Sequence, residues 1–397
     1  MTSDFYNSKD KSLSVLLFFG FIFFLTRSFP FIQYSWIMEG FLCLCIMSFT
    51  KKIANGIYHY PVILIFLLAL FINFIYSYIK GNDIAIIIRF YIIILFILCA
   101  YFCSYGTISI VKIFLYLMVL QAVIISIISI YMTKTYGIGI GDYSALRHYF
   151  LENDYGDVYT YGSGFYRVQI KGNALIPFAF MLHIVIKDYF YYRFKNTITV
   201  ILAIGTIVAG NFAYFVSICL FFMYIILCSK SNSRYAKLRK IIFGVFLTVI
   251  LPFFITYSIE LIIMKSNGAD SSLGVRWDQF TVLINDLTES VSNFVIGSGL
   301  GNVIKIQTPI RDYSAYIYYE LQSVYFLNQL GVILFTLFLL INLLLTIKII
   351  KYSELCVLYF LYVSYAITNP YILDSNHVAV IIVLVTLSNV LKKMKAK

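Results

Sequence analysis

Runs of about twenty apolar residues, the length a helix needs to cross a hydrocarbon core of about 30 Å, recur along the whole chain. They fall near 12–29, 31–50, 61–79, 84–105, 107–131, 172–192, 197–228, 240–264, 322–347, 354–369 and 374–391. Backbone N–H and C=O groups in lipid must be bonded internally, so each run reads as a helix. With 61% hydrophobic and 12% charged residues, the chain lacks the polar surface of a water-soluble fold of this size. An ordinary soluble enzyme and a disordered chain are excluded. The seven Cys lie in apolar runs, which also argues against a secreted disulfide scaffold.

One run, 197–228, is too long for a single crossing. Lys187, Arg193 and Lys195 precede it, and Lys230, Arg234, Lys237, Arg239 and Lys240 follow it. Basic clusters on both sides belong to the same, cytoplasmic, compartment. The run therefore reads as a short helical hairpin turning near Gly210-Asn211. The expectation is a single all-α integral membrane domain over 1–397, with about twelve spans and both termini cytoplasmic. Lys51, Lys52, Lys348, Lys351, Lys392, Lys393, Lys395 and Lys397 then all fall inside. The formal net charge of +12 reports topology and contact with anionic lipid, and nucleic acid is not needed to explain it.

Two segments on the opposite, outer side are long: 132–171 and 265–321. Loops of this length are usually functional or disordered, and Tyr, Gly and apolar interruptions favour order here. Within the second, Trp277, Phe280, Ile284, Leu287, Val291 and Phe294 recur at helical spacing, among Asp278, Asn285, Asp286 and Glu289. That pattern predicts an amphipathic helix at the outer interface.

Chemistry is sought among the few charges left outside. Arg167 and Arg276 sit where a lipid-linked phosphate would lie, and an Arg fork suits pyrophosphate. The structural alternative is salt bridging with Asp154, Asp157 or Asp278. Glu320 lies at a loop-to-span junction beside Tyr313, Tyr316, Tyr318, Tyr319 and Tyr325. A partly desolvated carboxylate can take a hydroxyl proton, and aromatic faces can pack on sugar rings. Against this stands an interfacial Tyr belt with a solvent-reaching Glu. Gly297-Ser298-Gly299-Leu300-Gly301 lacks the Lys-Ser/Thr of a phosphate loop and reads as a helix stop and flexible turn. His59, His148, His183 and His377 have no zinc spacing. Arg89 and Lys112 fall in spans, where Glu39 or Glu260 are available as partners.

The order and spacing of these features resemble a known family. The carriers are Arg167-x-x-x-x-Gly172-Asn173 entering a span, a doubled short span, and an outer loop opening Ser271-Ser272-Leu273-Gly274-Val275-Arg276-Trp277. That loop continues to Ile296-Gly297-Ser298-Gly299-Leu300-Gly301-Asn302, then Glu320-Leu321-Gln322 leads to Gly331. Together, over roughly residues 160–370, they resemble the Wzy-type O-antigen and capsule repeat-unit polymerases and the related O-antigen ligases. The resemblance implies a GT-C-like helical membrane enzyme at the outer face of the bacterial inner membrane, with no cofactor and no metal. It implies undecaprenyl-pyrophosphate-linked glycans and membrane lipids as partners, with flippase and chain-length regulator proteins nearby. Arg167 and Arg276 would hold the pyrophosphate, Glu320 would be the base, and Lys171, Asn173, Arg311, Tyr319 and Tyr325 would contact substrate.

Two departures matter. The ligases usually carry His where this chain has Glu320, which leans toward polymerase. The family's Ser-Arg after the first short arm is replaced by Gly210-Asn211-Phe212. Two other classes stay open. A lipid-linked oligosaccharide flippase would use charge inside spans, such as Arg89 and Lys112. A polyprenyl-phosphate-sugar transferase would use Glu152 and Asp154 with a cation.

Overall fold

The computed structural model describes residues 2–26, 35–137, 144–153, 155–160, 164–187, 189, 194–228, 244, 272–309, 312–314 and 319–395. These are mostly helix. In chain order they form α1 (Thr2–Thr26), α2 (Ser35–Met47), α3 (Thr50–His59), α4 (Pro61–Ile79), α5 (Ile84–Ala100), α6 (Ser109–Tyr136) and α7 (Ala145–Glu152). A hairpin of β1 (Gly156–Tyr159) and β2 (Arg167–Ile170) precedes α8 (Leu175–Ile186), α9 (Lys195–Ala209) and α10 (Phe212–Cys228). Then come α11 (Ser272–Thr288), α12 (Val291–Ile296), α13 (Gln322–Ile349), α14 (Ser353–Ile367) and α15 (Ser375–Lys395). Of the expected span at 240–264, all but Gly244 lies outside the described residues.

Among the described residues four helices, α4, α6, α13 and α15, are long and apolar enough to cross a membrane. Seven shorter apolar helices of 10–17 residues pack among them. Local chemistry sets several ends. Pro61 opens α4, where its missing N–H costs nothing. Asp83 caps α5 by accepting from the Ala85 and Ile86 amides. Gly210, at φ 65°, stops α9 in the left-handed conformation and divides the 197–228 run in two.

Side-chain contacts orient several of the helices. Tyr214 packs on Tyr365, and Ser217 bonds Ser364, so α10 runs antiparallel to α14. His183 Nε2 lies 3.0 Å from Thr199 Oγ1, so α8 and α9 are antiparallel as well. Ser323 bonds the Ile367 carbonyl, while Asn389 reaches Ser104 and Lys52 reaches the Ser104 carbonyl. The bundle thus has two ends. Thr26, Gly172, Gly210, Glu320 and Asp374 mark one, and Lys52, Ser104, Lys351 and Lys393 mark the other. Buried α15 runs down the middle; Val378 to Leu384 have no exposed surface. An all-round apolar helix belongs in such a position. Leu64, Ile65, Leu68, Phe71, Ile72 and Ile79 of α4 are instead exposed along one stripe, as a lipid-facing surface would be.

The 132–171 segment is not a plain loop. Helix α6 continues to Tyr136, Ser144 caps α7, and the chain returns as an antiparallel hairpin pairing Tyr159 with Arg167 and Val158 with Val168. Period-two burial of Val158, Val168 and Ile170 beside the partly exposed Asp157 and Gln169 accounts for strands in an otherwise helical chain. Arg147 holds Asp157 at 2.8 Å and ties α7 to β1.

Candidate functional site

At the Glu320 end, the turn between α14 and α15, residues 368–374, gathers contacts from four directions. Asn369 Oδ1 accepts from Asn211 Nδ2 at 2.7 Å. The Leu373 amide donates to Gln322 Oε1 at 3.2 Å, and the Tyr362 hydroxyl donates to the Tyr371 carbonyl at 2.8 Å. Asp374 accepts from the Ser375 amide and from Asn376 Nδ2 at the start of α15. Asp374 is partly open to solvent, yet burial pushes its carboxyl above the ordinary range. Asp374 and Tyr371, both half-buried, give this end of the apolar bundle a polar recess. Arg89 and Lys171 act in the opposite direction on that carboxyl, so both cations lie within electrostatic reach of it. Tyr371, also partly exposed, is raised by burial and feels Arg276 and Glu320.

Arg276 and Glu320 form an ion pair at this rim. Nε of Arg276 donates to Glu320 Oε2 at 2.8 Å, with the two side chains 33% and 35% exposed. Gln279 positions the pair from below: fully buried, its Oε1 accepts from the Glu320 amide at 3.1 Å. The terminal nitrogens of Arg276 and Oε1 of Glu320 have no partner among the described residues. The structural alternative for Arg276, salt bridging with a loop acid such as Asp154, Asp157 or Asp278, is met by Glu320 of its own loop. Asp278 is occupied elsewhere, accepting from the Tyr313 and Thr308 hydroxyls.

Arg167, at the first position of β2, donates from a terminal nitrogen to the Gly210 carbonyl at 2.9 Å. A cation here meets the negative end of α9. A Cβ on Gly210 would stand 2.6 Å from Arg167 Cδ, so only glycine admits the arginine stem. Arg167 reaches the 368–374 turn through Gly210 and Asn211, and Arg276 reaches it through Glu320 and Tyr371.

Three residues expected to contact substrate are buried, with partners inside the protein. Asn173 is buried, accepting from Gln121 Nε2 at 2.9 Å and donating to the Val168 carbonyl at 2.6 Å; it clamps the hairpin to α6. Its neighbour Gly172 has φ 88° and abuts Thr26 of α1. Tyr319 and Tyr325 are each 1% exposed and stack at 4.4 Å, with Tyr313 stacked on Tyr319 at 5.6 Å. These rings present no face to a sugar. Lys171 is exposed and stays at the recess. Arg311 lies outside the described residues, as does Asp154.

The glycine-rich segment is not a flexible turn. Helix α13 breaks at Gly331, φ 68°, which frees the carbonyls of the preceding turn. The Ser298 and Gly299 amides donate to the Asn328 and Gln329 carbonyls at 2.8 and 3.1 Å. Asp286 Oδ2 accepts from Ser298 and Asn328, locking α11 to the same joint.

Sequence reasoning missed Asp374, Asn369 and Tyr371. The short stretch Asn369-Pro370-Tyr371 with Asp374-Ser375 at a helix start was the available signal. Arg89, placed in a span by its sequence, lies in the second turn of α5 and is exposed. Of the two acids available to it, Glu260 lies outside the described residues. Among the described residues no cluster of His, Cys, Asp and Glu is arranged to hold a metal.

No protein-family model matches the chain, and none of the curated proteins is significantly similar to it.

Proposed function

We propose that this protein is a membrane glycosyltransferase that polymerises undecaprenyl-pyrophosphate-linked repeat units at the outer face of a bacterial inner membrane. The observation that carries the reading is the Arg276–Glu320 ion pair, one-third exposed at the end of the bundle where the half-buried Asp374 also lies. A carboxylate able to accept a proton and a cation able to hold a pyrophosphate are thereby set at one end of an apolar bundle. Lys51, Lys52, Lys187, Lys195, Lys348, Lys351 and the C-terminal lysines gather at the other end. By the positive-inside rule that end is cytoplasmic and the recess is outside. In this reading twelve spans in a GT-C-like arrangement leave both termini inside.

Oε1 of Glu320 takes the proton of the acceptor sugar hydroxyl as that oxygen bonds the donor's anomeric carbon. The bond from that carbon to the pyrophosphate oxygen breaks, and the undecaprenyl pyrophosphate departs with its charge met by Arg276 and Arg167. Glu320 then returns the proton to water. Direct displacement inverts the anomeric centre.

The transporter reading rests on Arg89 and Lys112, which lie in the second turn of α5 and the first turn of α6. Surface polysaccharide from a deletion strain separates the remaining classes on a gel. Single-repeat glycans mean polymerase, unattached long chains mean ligase, and no outward lipid-linked material means flippase. Normal long glycan from Glu320→Ala and Arg276→Glu strains would sink the assignment.

A further inference from the structure

The end opposite the recess holds a cavity of about 440 Å³ between the start of α3 and the 103–108 connection. Hydroxyl-bearing Ser48, Thr50, Ser104 and Thr107 line it, and Phe49 and Tyr105 form an aromatic wall with ring centroids 4.8 Å apart. Lys51 and Lys52 stand on its lining. Lys52 Nζ donates to the Ser104 carbonyl at 2.8 Å and lies 5.0 Å over the Phe49 ring, which fixes the ammonium at the cavity. Lys393 supplies a third ammonium: a Cβ built on Gly106 would stand 3.0 Å from its Nζ.

These three cations have no carboxylate partner among the described residues. Burial, and to a smaller extent Lys393, pulls the Lys52 ammonium below its ordinary value, with Cys103 acting in the opposite direction. The α3 start that borders the cavity, after Phe49, has no side-chain cap, whereas the first amide of α6 is met by the Thr107 hydroxyl. The first amides of α3 add donors and partial positive charge to the same rim.

We propose that this cavity binds a phosphate group, carried either by the head group of an anionic lipid or by a soluble phosphate ester. Lysine ammoniums meet the charge, and the hydroxyls and helix-start amides supply directional donors. The site is separate from the Glu320 recess and does not rest on the glycosyltransferase reading.

The test uses the full chain in nanodiscs of pure phosphatidylcholine and of phosphatidylcholine doped with phosphatidylglycerol, read by native mass spectrometry. In a second arm, glycerol 3-phosphate and inorganic phosphate are titrated calorimetrically against protein in pure phosphatidylcholine. Retained phosphatidylglycerol that falls about fivefold per lysine in Lys52→Gln and Lys51→Gln assigns a lipid head group. Glycerol 3-phosphate binding with the same lysine dependence upholds the phosphate site and assigns a soluble ligand. Lys51→Gln removes no described contact, so it keeps the test valid if Lys52→Gln misfolds. Equal retention by wild type and both variants, or no binding in either arm, overturns the proposal.

Discussion

Nε of Arg276 and Oε2 of Glu320 lie 2.8 Å apart, joining the first turns of α11 to the residue two positions ahead of α13. A pair one-third exposed contributes little to folding, about 0–1 kcal/mol. Its chemical value is much larger if it serves catalysis, since a positioned general base supplies about 10²–10⁴ in rate. Glu320→Gln and Arg276→Gln are therefore expected to lower polymer formation at least about a hundredfold while thermal unfolding shifts by no more than a few degrees. The exchange Arg276→Glu with Glu320→Arg restores the pair but misplaces base and cation, so it recovers stability without activity. Activity in the exchanged protein would assign the pair to structure alone.

Gly297 and Gly331 meet backbone to backbone. A Cβ on Gly297 would stand 2.3 Å from the Gln329 carbonyl oxygen, and one on Gly331 would stand 2.4 Å from the Gly297 nitrogen. Both residues have positive φ, which costs an L-residue roughly 1–2 kcal/mol before any clash is counted. Gly331→Ala and Gly297→Ala should each lose more than about 3 kcal/mol, with overpacking added. Fluorescence-detected size exclusion after heating reads this as a collapse of the folded peak. Gly40→Ala is the control: nothing lies within 4 Å of its Cβ, so its unfolding curve should match wild type or lie above it.

How much of this was legible beforehand follows the physics of each signal. Apolar length and flanking charge mark most helices, because lipid demands internally bonded backbone. The break at Gly210 was readable for the same reason, from basic residues on both sides. The amphipathic segment was legible as a helix, but its orientation was not. Trp277 and Phe280 are 71% and 38% exposed, while Gln279 and Leu283 are fully buried. A polar Gln becomes the buried anchor because the Glu320 and Leu321 amides need an acceptor, a requirement set by tertiary contact alone. The motif residues Gly172, Asn173, Gly297 and Gly331 were visible as a pattern. Their role as joints depends on what faces them from elements far away in sequence. Asp374 was missed because one acid at a helix start looks like an ordinary cap until Arg89 and Lys171 are brought near it.

Asn173 separates the motif from the ligand. Its side chain spans Gln121 and the Val168 carbonyl, so Asn173→Ala leaves buried partners unsatisfied at a cost of about 1–3 kcal/mol. Expression and thermal stability should fall, while activity per folded molecule and apparent substrate affinity stay within about twofold. A raised Michaelis constant at unchanged stability would return Asn173 to the substrate site.

The exposed face of α11 and α12 offers Trp277 as a probe. Trp277 stacks on Phe280 at 5.6 Å, and Val291 and Phe294 continue the apolar surface. Lys80 of α4 holds Asn293 at 3.2 Å, so this surface runs into the lipid-facing stripe of α4. Aromatic rings at such a junction belong at head-group depth. The chain has two Trp, so Trp36→Phe leaves Trp277 as the sole indole. Lipids brominated high on the acyl chain should quench it more strongly than lipids brominated near the terminal methyl. Quenching only by an aqueous agent would place the helix away from the bilayer.

Asp374 gives the pH dependence its sign. Burial raises its carboxyl above the ordinary value, and the Ser375 amide, Asn376, Arg89 and Lys171 offset only part of that rise. The folded protein therefore binds this proton more tightly than the unfolded chain does. Between the ordinary carboxylate value and the raised one, the native state holds more protons, so this group's contribution to stability falls as pH rises through that window. The paired carboxylates elsewhere work in the opposite direction, which makes the difference between variants the useful quantity. Relative to wild type, Asp374→Asn should gain stability as pH rises from about 4 toward neutrality, read by thermal unfolding in detergent. Adding Arg89→Gln to wild type removes a favourable charge from the carboxylate, so it should steepen the decline and move it to higher pH. Parallel curves for wild type and Asp374→Asn across the whole range would mean that the carboxyl titrates as an ordinary exposed acid and does not line a recess.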